Sequence, residues 1–332
     1  MTERPTGATA RLALAGDTML GRGVAEEIGR HGTGALFSDG LRAELAAADA
    51  VFLNLECCVS DRGSRIPIPG KPFFFRAPPE AAEALAGLGV RAVTLANNHA
   101  LDYGPEALLD TLDHLAAAGI LTVGAGPDAT AARAPATLTV GGLRLGLLGV
   151  TDHPAEYAAG PDRPGVAHAD LTAGVPDWLT DALASLRQRV DVVLLFTHWG
   201  PNMVAEPVPH VRRVAPELLA AGASLIVGSS AHVFHGLTRR VLHDLGDFID
   251  DYAVDPVLRN DRGVVVLTTL DAEGPRRTEA LPVALDHAHV RLAAGLAHTW
   301  VTDRLTAACA RLGAAGPRRS GDRLVWDWPP AD

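Results

Sequence analysis

Cysteine, long apolar runs and positive charge are all scarce in this 332-residue chain, and each shortage narrows what it can be. The three cysteines are an odd number, and Cys57 and Cys58 are adjacent, a spacing that rarely meets disulfide geometry; a reducing compartment is the expectation. Residues 1–10 hold no apolar signal-type segment, and the first hydrophobic run, Leu12 to Ala15, is strand-sized. No later stretch approaches the roughly 20 uninterrupted apolar residues that cross a bilayer. The sequence therefore predicts a cytoplasmic protein with no membrane partner. A formal charge of -10 works against binding a polyphosphate backbone. The short groups Arg239-Arg240, Arg276-Arg277 and Arg318-Arg319 read as solvated surface, so no nucleic acid is expected either.

What is present is enough apolar residue, 48% of the chain, to build a large core without staples. Short runs rich in Val, Leu and Ala end in small or polar residues: Leu12 to Ala15, Ala50 to Leu53, Ala92 to Ala96, Leu121 to Val123, Val190 to Phe196 and Ser224 to Val227. Between them, Glu80 to Leu88, Glu106 to Ala118, Asp177 to Arg189 and Val211 to Ala221 carry helical spacing and often finish near glycine. This alternation predicts an α/β layered fold. Ala136 to Val140, Gly141-Gly142 and Leu143 to Val150 read as a hairpin, and Gly263 to Leu270 and Thr278 to Ala284 as a late antiparallel pair. Two mixed sheets packed face to face with helices outside fit this order better than one parallel sheet. With no repeat and no low-complexity linker, the chain reads as one domain with an addition from Arg291 to Asp332, whose helix holds Thr302 to Leu312.

The carboxyl ends of the strands carry the chemistry, because open α/β sheets collect ligand-binding residues there. The strands deliver Asp17, then Glu56, then Asn97-Asn98-His99 with Asp102 beyond, then His198, and finally His232. Each piece alone is weak: a lone Gly-Asp is usually a turn, and a lone buried histidine is usually a hydrogen-bonded core residue. Arriving together, Asp17, Glu56, Asn98, His198 and His232 form a mixed oxygen and nitrogen donor set suited to a divalent ion such as Mn, Fe or Zn. His99, beside the ion but not bound to it, is a candidate general acid or base with Asp102. Helix capping before Pro105-Glu106 is the competing role for Asp102. Cys57, directly after Glu56, reads either as an opposing acid or base or as a small buried hydrophobe. The acidic stretch Asp247 to Pro256 offers Asp250 to a pocket or a carboxylate behind His232, with Arg259 just beyond as a substrate contact.

At these residues the sequence resembles the CapA family, named for poly-γ-glutamate capsule biosynthesis, within the calcineurin-like metallophosphoesterase superfamily. The matching pieces are Ala15-Gly16-Asp17, Asn54-Leu55-Glu56, the run from Lys71 to Arg76, the run from Ala96 to Gly104, His198-Trp199-Gly200 and Gly246-Asp247-Phe248, in family order. The resemblance implies a four-layer αββα sandwich over 1–290 with mixed sheets, a helical extension over 291–332 packed on it, and a metal site at the edge of the two sheets. Asn97, Arg76 and Trp199, which stand in the matching pieces, are expected substrate contacts. Met19 and Ser230 stand where the superfamily usually has histidine ligands, so one well-occupied metal site is expected and two-metal phosphoryl transfer is not. A single Lewis-acidic ion beside a proton-transferring histidine suits acid/base chemistry on a peptide, most sharply Cα epimerisation of a ribosomally made peptide. Metal-dependent hydrolysis of phosphoester or amide bonds, and non-catalytic peptide binding, are the alternatives.

Overall fold

The computed structural model describes residues 7–329. Two mixed sheets lie at its centre. The larger has ten strands, in the order Arg318–Ser320, Arg323–Asp327, Gly274–Asp286, Arg262–Asp271, Ala10–Thr18, Ala50–Leu55, Val90–Thr94 and Leu121–Val123, with Asp247–Ile249 beside Ala10–Thr18 and His289–Leu292 beside Gly274–Asp286. The smaller has five, in the order Val241–Leu242, Leu225–Ser229, Val192–His198, Leu143–Thr151 and Ala136–Val140. The Gly141-Gly142 hairpin forms as expected, pairing Val140 with Leu143.

Period-two alternation builds the layers. Leu12 and Leu14 of the first strand point inward against Leu145, Leu147, Leu194 and Phe196 of the other sheet, and Phe52 meets Phe196 edge-on at 6.3 Å. The alternate residues Ala13 and Ala15 point outward, under the helices Arg22–His31, Asp39–Ala46 and Glu80–Gly87. On the far side, Val193 and Leu195 face Leu179, Leu183 and Leu186 of helix Asp177–Arg187 and Val211, Val214 and Leu218 of helix Pro209–Ala221. Helix, sheet, sheet, helix is thus the layer order. Each fully buried Leu or Phe contributes on the order of 2 kcal/mol.

The terminal addition does more than add a helix. Helix Gly295–Arg311 sends Val301, Leu305 and Cys309 into the core between the sheets, and the two strands after it extend the large sheet through Gly274–Asp286. Trp326 is therefore a strand residue, its indole donating to Ala315 O at 2.9 Å.

One glycine sets the approach of the two sheet ends. A Cβ on Gly16 would lie 1.9 Å from Gly246 O, so only glycine lets that carbonyl accept from Asp17 N–H at 2.9 Å and seat Asp247 opposite Asp17.

Candidate metal and acid/base site

Parallel strands of both sheets end on the same edge, and their last residues meet. Asp17 ends the first strand, Asn54 and Glu56 close the second, and the turn after Val90–Thr94 carries Asn97, Asn98 and His99. From the other sheet come His198 and the segment Ser229 to His232. Donor atoms of Asp17, Glu56 and His232 all lie within 4.8 Å of one another. Asn54 ties the sheets together: its amide donates to Asp17 Oδ1 at 2.7 Å, lies 3.4 Å from His198 Nδ1, and accepts at Oδ1 from Asn97 Nδ2 at 2.9 Å. Ser230 N–H donates to Asp17 Oδ2 at 3.2 Å.

Several atoms in this cluster are buried with no hydrogen-bond partner in the protein: both oxygens of Glu56, Asn98 Oδ1 and His198 Nε2. Unpaired buried groups of this kind are costly unless something else satisfies them. The donor set of carboxylate, amide oxygen and imidazole fits a divalent cation. Burial pushes Glu56 well above the usual carboxylate range, with Asp17 adding to it, and pushes Asp17 up to about 6 despite the nearby His232. Burial alone works against a charged His232, but Glu56, Asp17 and Asp250 outweigh it and raise its pKa. A dication among these carboxylates would relieve the same repulsion.

Two imidazoles are each backed by a carboxylate. His99 Nδ1 donates to Asp102 Oδ2 at 2.7 Å, and His232 Nδ1 to Asp247 Oδ1 at 2.8 Å. Asp102 is held from every side: it accepts from Phe75 N–H at 2.6 Å and Tyr157 O–H at 3.0 Å, and Lys71 Nζ stands 2.8 Å from Oδ1. His99 Nε2 stands 3.9 Å from Glu56 Oε1. Burial lowers the His99 pKa to about 4 and holds His198 well below the ordinary histidine value.

Both paired histidines line one cavity of about 310 Å³, together with Arg22, Phe73, Phe75, Met203 and Tyr252. Arg22, Met203, Ser230 and His232 all have positive φ (49°, 55°, 117° and 59°). Non-glycine residues adopt this conformation at an energetic cost and collect at functional sites.

Residues 11–252 match the family described as "Bacterial capsule synthesis protein PGA_cap". The chain belongs to this family. Among curated PGA_cap relatives, the "Probable polyglutamine synthesis accessory protein Rv0574c" of Mycobacterium tuberculosis H37Rv is 29% identical, over 81% of this chain and 75% of its own. The "PGA biosynthesis protein CapA" of Bacillus subtilis 168 is 27% identical, over 83% of this chain and 72% of its own. The "Capsule biosynthesis protein CapA" of Bacillus anthracis is 29% identical, over 72% of this chain and 59% of its own.

In this PGA_cap chain the expected site residues divide into two groups. Asp17, Glu56, Asn98, His99, Asp102, His198 and His232 converge, although His198 lies outside the tight cluster of three. Asp102 does not cap the helix Gly104–Ala117, whose N-cap is Tyr103; its carboxylate turns to His99 instead. Cys57 is fully buried in the outer core, outside the cavity lining, and burial pushes its thiol up. Trp199 packs under the helices of the smaller sheet and donates to His243 O at 2.8 Å, away from the cavity. Arg76 donates to Arg62 O at 2.9 Å and stacks over Tyr103, and Arg259 pairs with Asp261. Asn97 is wholly buried inside the hydrogen-bond chain, and Asp250 sits behind Asp247. These five therefore do not form the cavity wall. Arg22, Tyr157 and Met203 were not singled out from sequence. Asn54, Lys71, Phe73, Phe75 and Asp247 stood in the matching family pieces and Tyr252 in the acidic stretch, without these roles, except that the carboxylate expected behind His232 is supplied by Asp247.

Proposed function

We propose that this protein is a metal-dependent acid/base enzyme acting on a peptide, and that its reaction is inversion at a Cα. The observation that carries this reading is the pair of carboxylate-backed histidines, His99–Asp102 and His232–Asp247, opening on one cavity beside Asp17 and Glu56. With each Nδ1 committed to a carboxylate, each Nε2 is left to exchange a proton. Inversion needs two such groups. One imidazole takes the proton from Cα as the C–H bond breaks and the electron pair moves into the neighbouring carbonyl; the other returns a proton to the opposite face. Asp17 and Glu56 would hold the cation, with Asn98 Oδ1 and His198 Nε2 as further donors. The bound ion would supply Lewis-acid stabilisation of negative charge on the carbonyl oxygen. His232 belongs to both sets; with Nδ1 on Asp247 we assign it to proton transfer rather than to the ion.

The relatives' names support a second reading, an accessory role in making a polyglutamate chain through amide chemistry, which would need only one of the two pairs. Incubation of metal-loaded protein with peptide in heavy water separates them. Inversion puts one deuterium on Cα with no cleavage, and His99→Gln or His232→Gln lowers incorporation on the order of 100-fold. A new amine without Cα deuterium contradicts inversion and supports amide hydrolysis. Loss of the ion from His232→Gln would return His232 to the ligand set.

A further inference from the structure

The cavity wall carries information about the substrate beyond the reaction type. Phe73 and Phe75 stack at 6.4 Å with their planes 13° apart, and Tyr252 continues the surface 5.6 Å from Phe75. The Arg22 guanidinium covers all three rings at 5.4, 5.5 and 5.9 Å. Met203 closes another side, held in its positive-φ conformation by its N–H bond to Ala231 O at 2.9 Å. Phe73 is 55% exposed and Met203 37%, so much of this apolar surface faces water.

The charges point the same way. Arg22 is the one Lys or Arg among the described residues lining the cavity, and its Nε is paired with Asp251 at 3.1 Å. Lys71, behind the wall, is engaged by Asp102. Asp17, Glu56 and Asp247 lie buried behind His99 and His232, outside the cavity lining.

Resting on the peptide reading above, we infer that the cavity receives a large apolar side chain of the peptide, an aromatic one best, and turns away an acidic one. An aromatic side chain would bury its faces against Phe73, Phe75 and Tyr252. A glutamyl side chain would lose its water against this apolar wall, where the Nε of the one guanidinium is already paired with Asp251. This separates the chain from a role on a polymer of acidic glutamyl side chains.

Titration calorimetry at neutral pH tests it, using metal-loaded protein with acetyl-Ala-Phe-Ala-amide, acetyl-Ala-Glu-Ala-amide and γ-linked triglutamate as probes. The phenylalanine peptide should bind about tenfold or more tightly than either glutamyl probe. Phe73→Ala, at a largely exposed position, should weaken the phenylalanine peptide about tenfold and leave the glutamyl probes unchanged. Met203→Lys should shift preference toward the glutamyl peptide. Equal or tighter binding of a glutamyl probe to the native protein, or indifference to both substitutions, overturns the specificity while leaving the peptide reading in place. If no probe binds, both fall.

Discussion

Thr111 and His243 in the outer layers of this protein and several polar groups at the shared edge of its two sheets are treated in opposite ways. Thr111 Oγ1 accepts from Val59 N–H at 2.8 Å and donates to Ala107 O at 2.6 Å, and His243 Nδ1 donates to Gly236 O at 3.1 Å. At the sheet edge, Glu56 has no hydrogen-bond partner in the protein on either oxygen, and Asn98 and His198 each keep an unpaired atom. The first arrangement stabilises a fold. The second destabilises it, and it persists because the surrounding layers hold it in place, the pattern expected where binding is prepared in advance.

The contrast is broken most strongly at Asp17. Asp17→Ala should abolish the rise in melting temperature that divalent ions give the native protein and lower Cα exchange on the order of 10³-fold. A structural position should behave in reverse: Leu194→Ala, fully buried between the sheets, should lose about 2 to 5 kcal/mol in urea unfolding and leave the metal response intact.

Acid sharpens the comparison, because Asp17 and the outer histidines His235 and His243 respond with opposite sign. Burial lowers His235 and His243 from 6.5 to about 4, so their contribution to stability is complete above 6.5 and is lost as pH falls through about 4. Asp17 is raised from 3.8 to about 6, so in metal-free protein its contribution is complete below about 3.8 and is lost as pH rises through about 6. Urea midpoints against pH should show the first slope flattened by His235→Gln and the second by Asp17→Asn. Saturating metal should remove the second slope and leave the first. The smallest effect belongs to Cys57→Ala, with about 1 kcal/mol lost and metal content unchanged; a large loss of exchange at native stability would return the thiol to the chemistry.

The layers were legible in sequence because strand alternation and helical spacing are local, and the positions of Asp17, Glu56 and His198 followed from where the apolar runs stop. Neighbouring residues were harder. Cys57 follows Glu56 and Trp199 follows His198, but successive side chains of extended backbone point to opposite faces, so each lies in the core opposite its functional neighbour. The contacts of Lys71 and Tyr157 with Asp102 cross 31 and 55 positions of the sequence and depend on the tertiary fold alone. The His232–Asp247 pair depends on the Gly16–Gly246 approach, which no local pattern announces. The strand Arg318–Ser320 was hidden by polar residues, since it is exposed throughout and holds its place by backbone pairing.

Elemental analysis of purified native protein beside Glu56→Gln tests the central claim most directly. One equivalent of a divalent metal in the native protein, lost from Glu56→Gln and kept in His99→Gln, is the predicted result. A native protein that binds no divalent ion, or a Glu56→Gln variant that keeps its full complement, would contradict it.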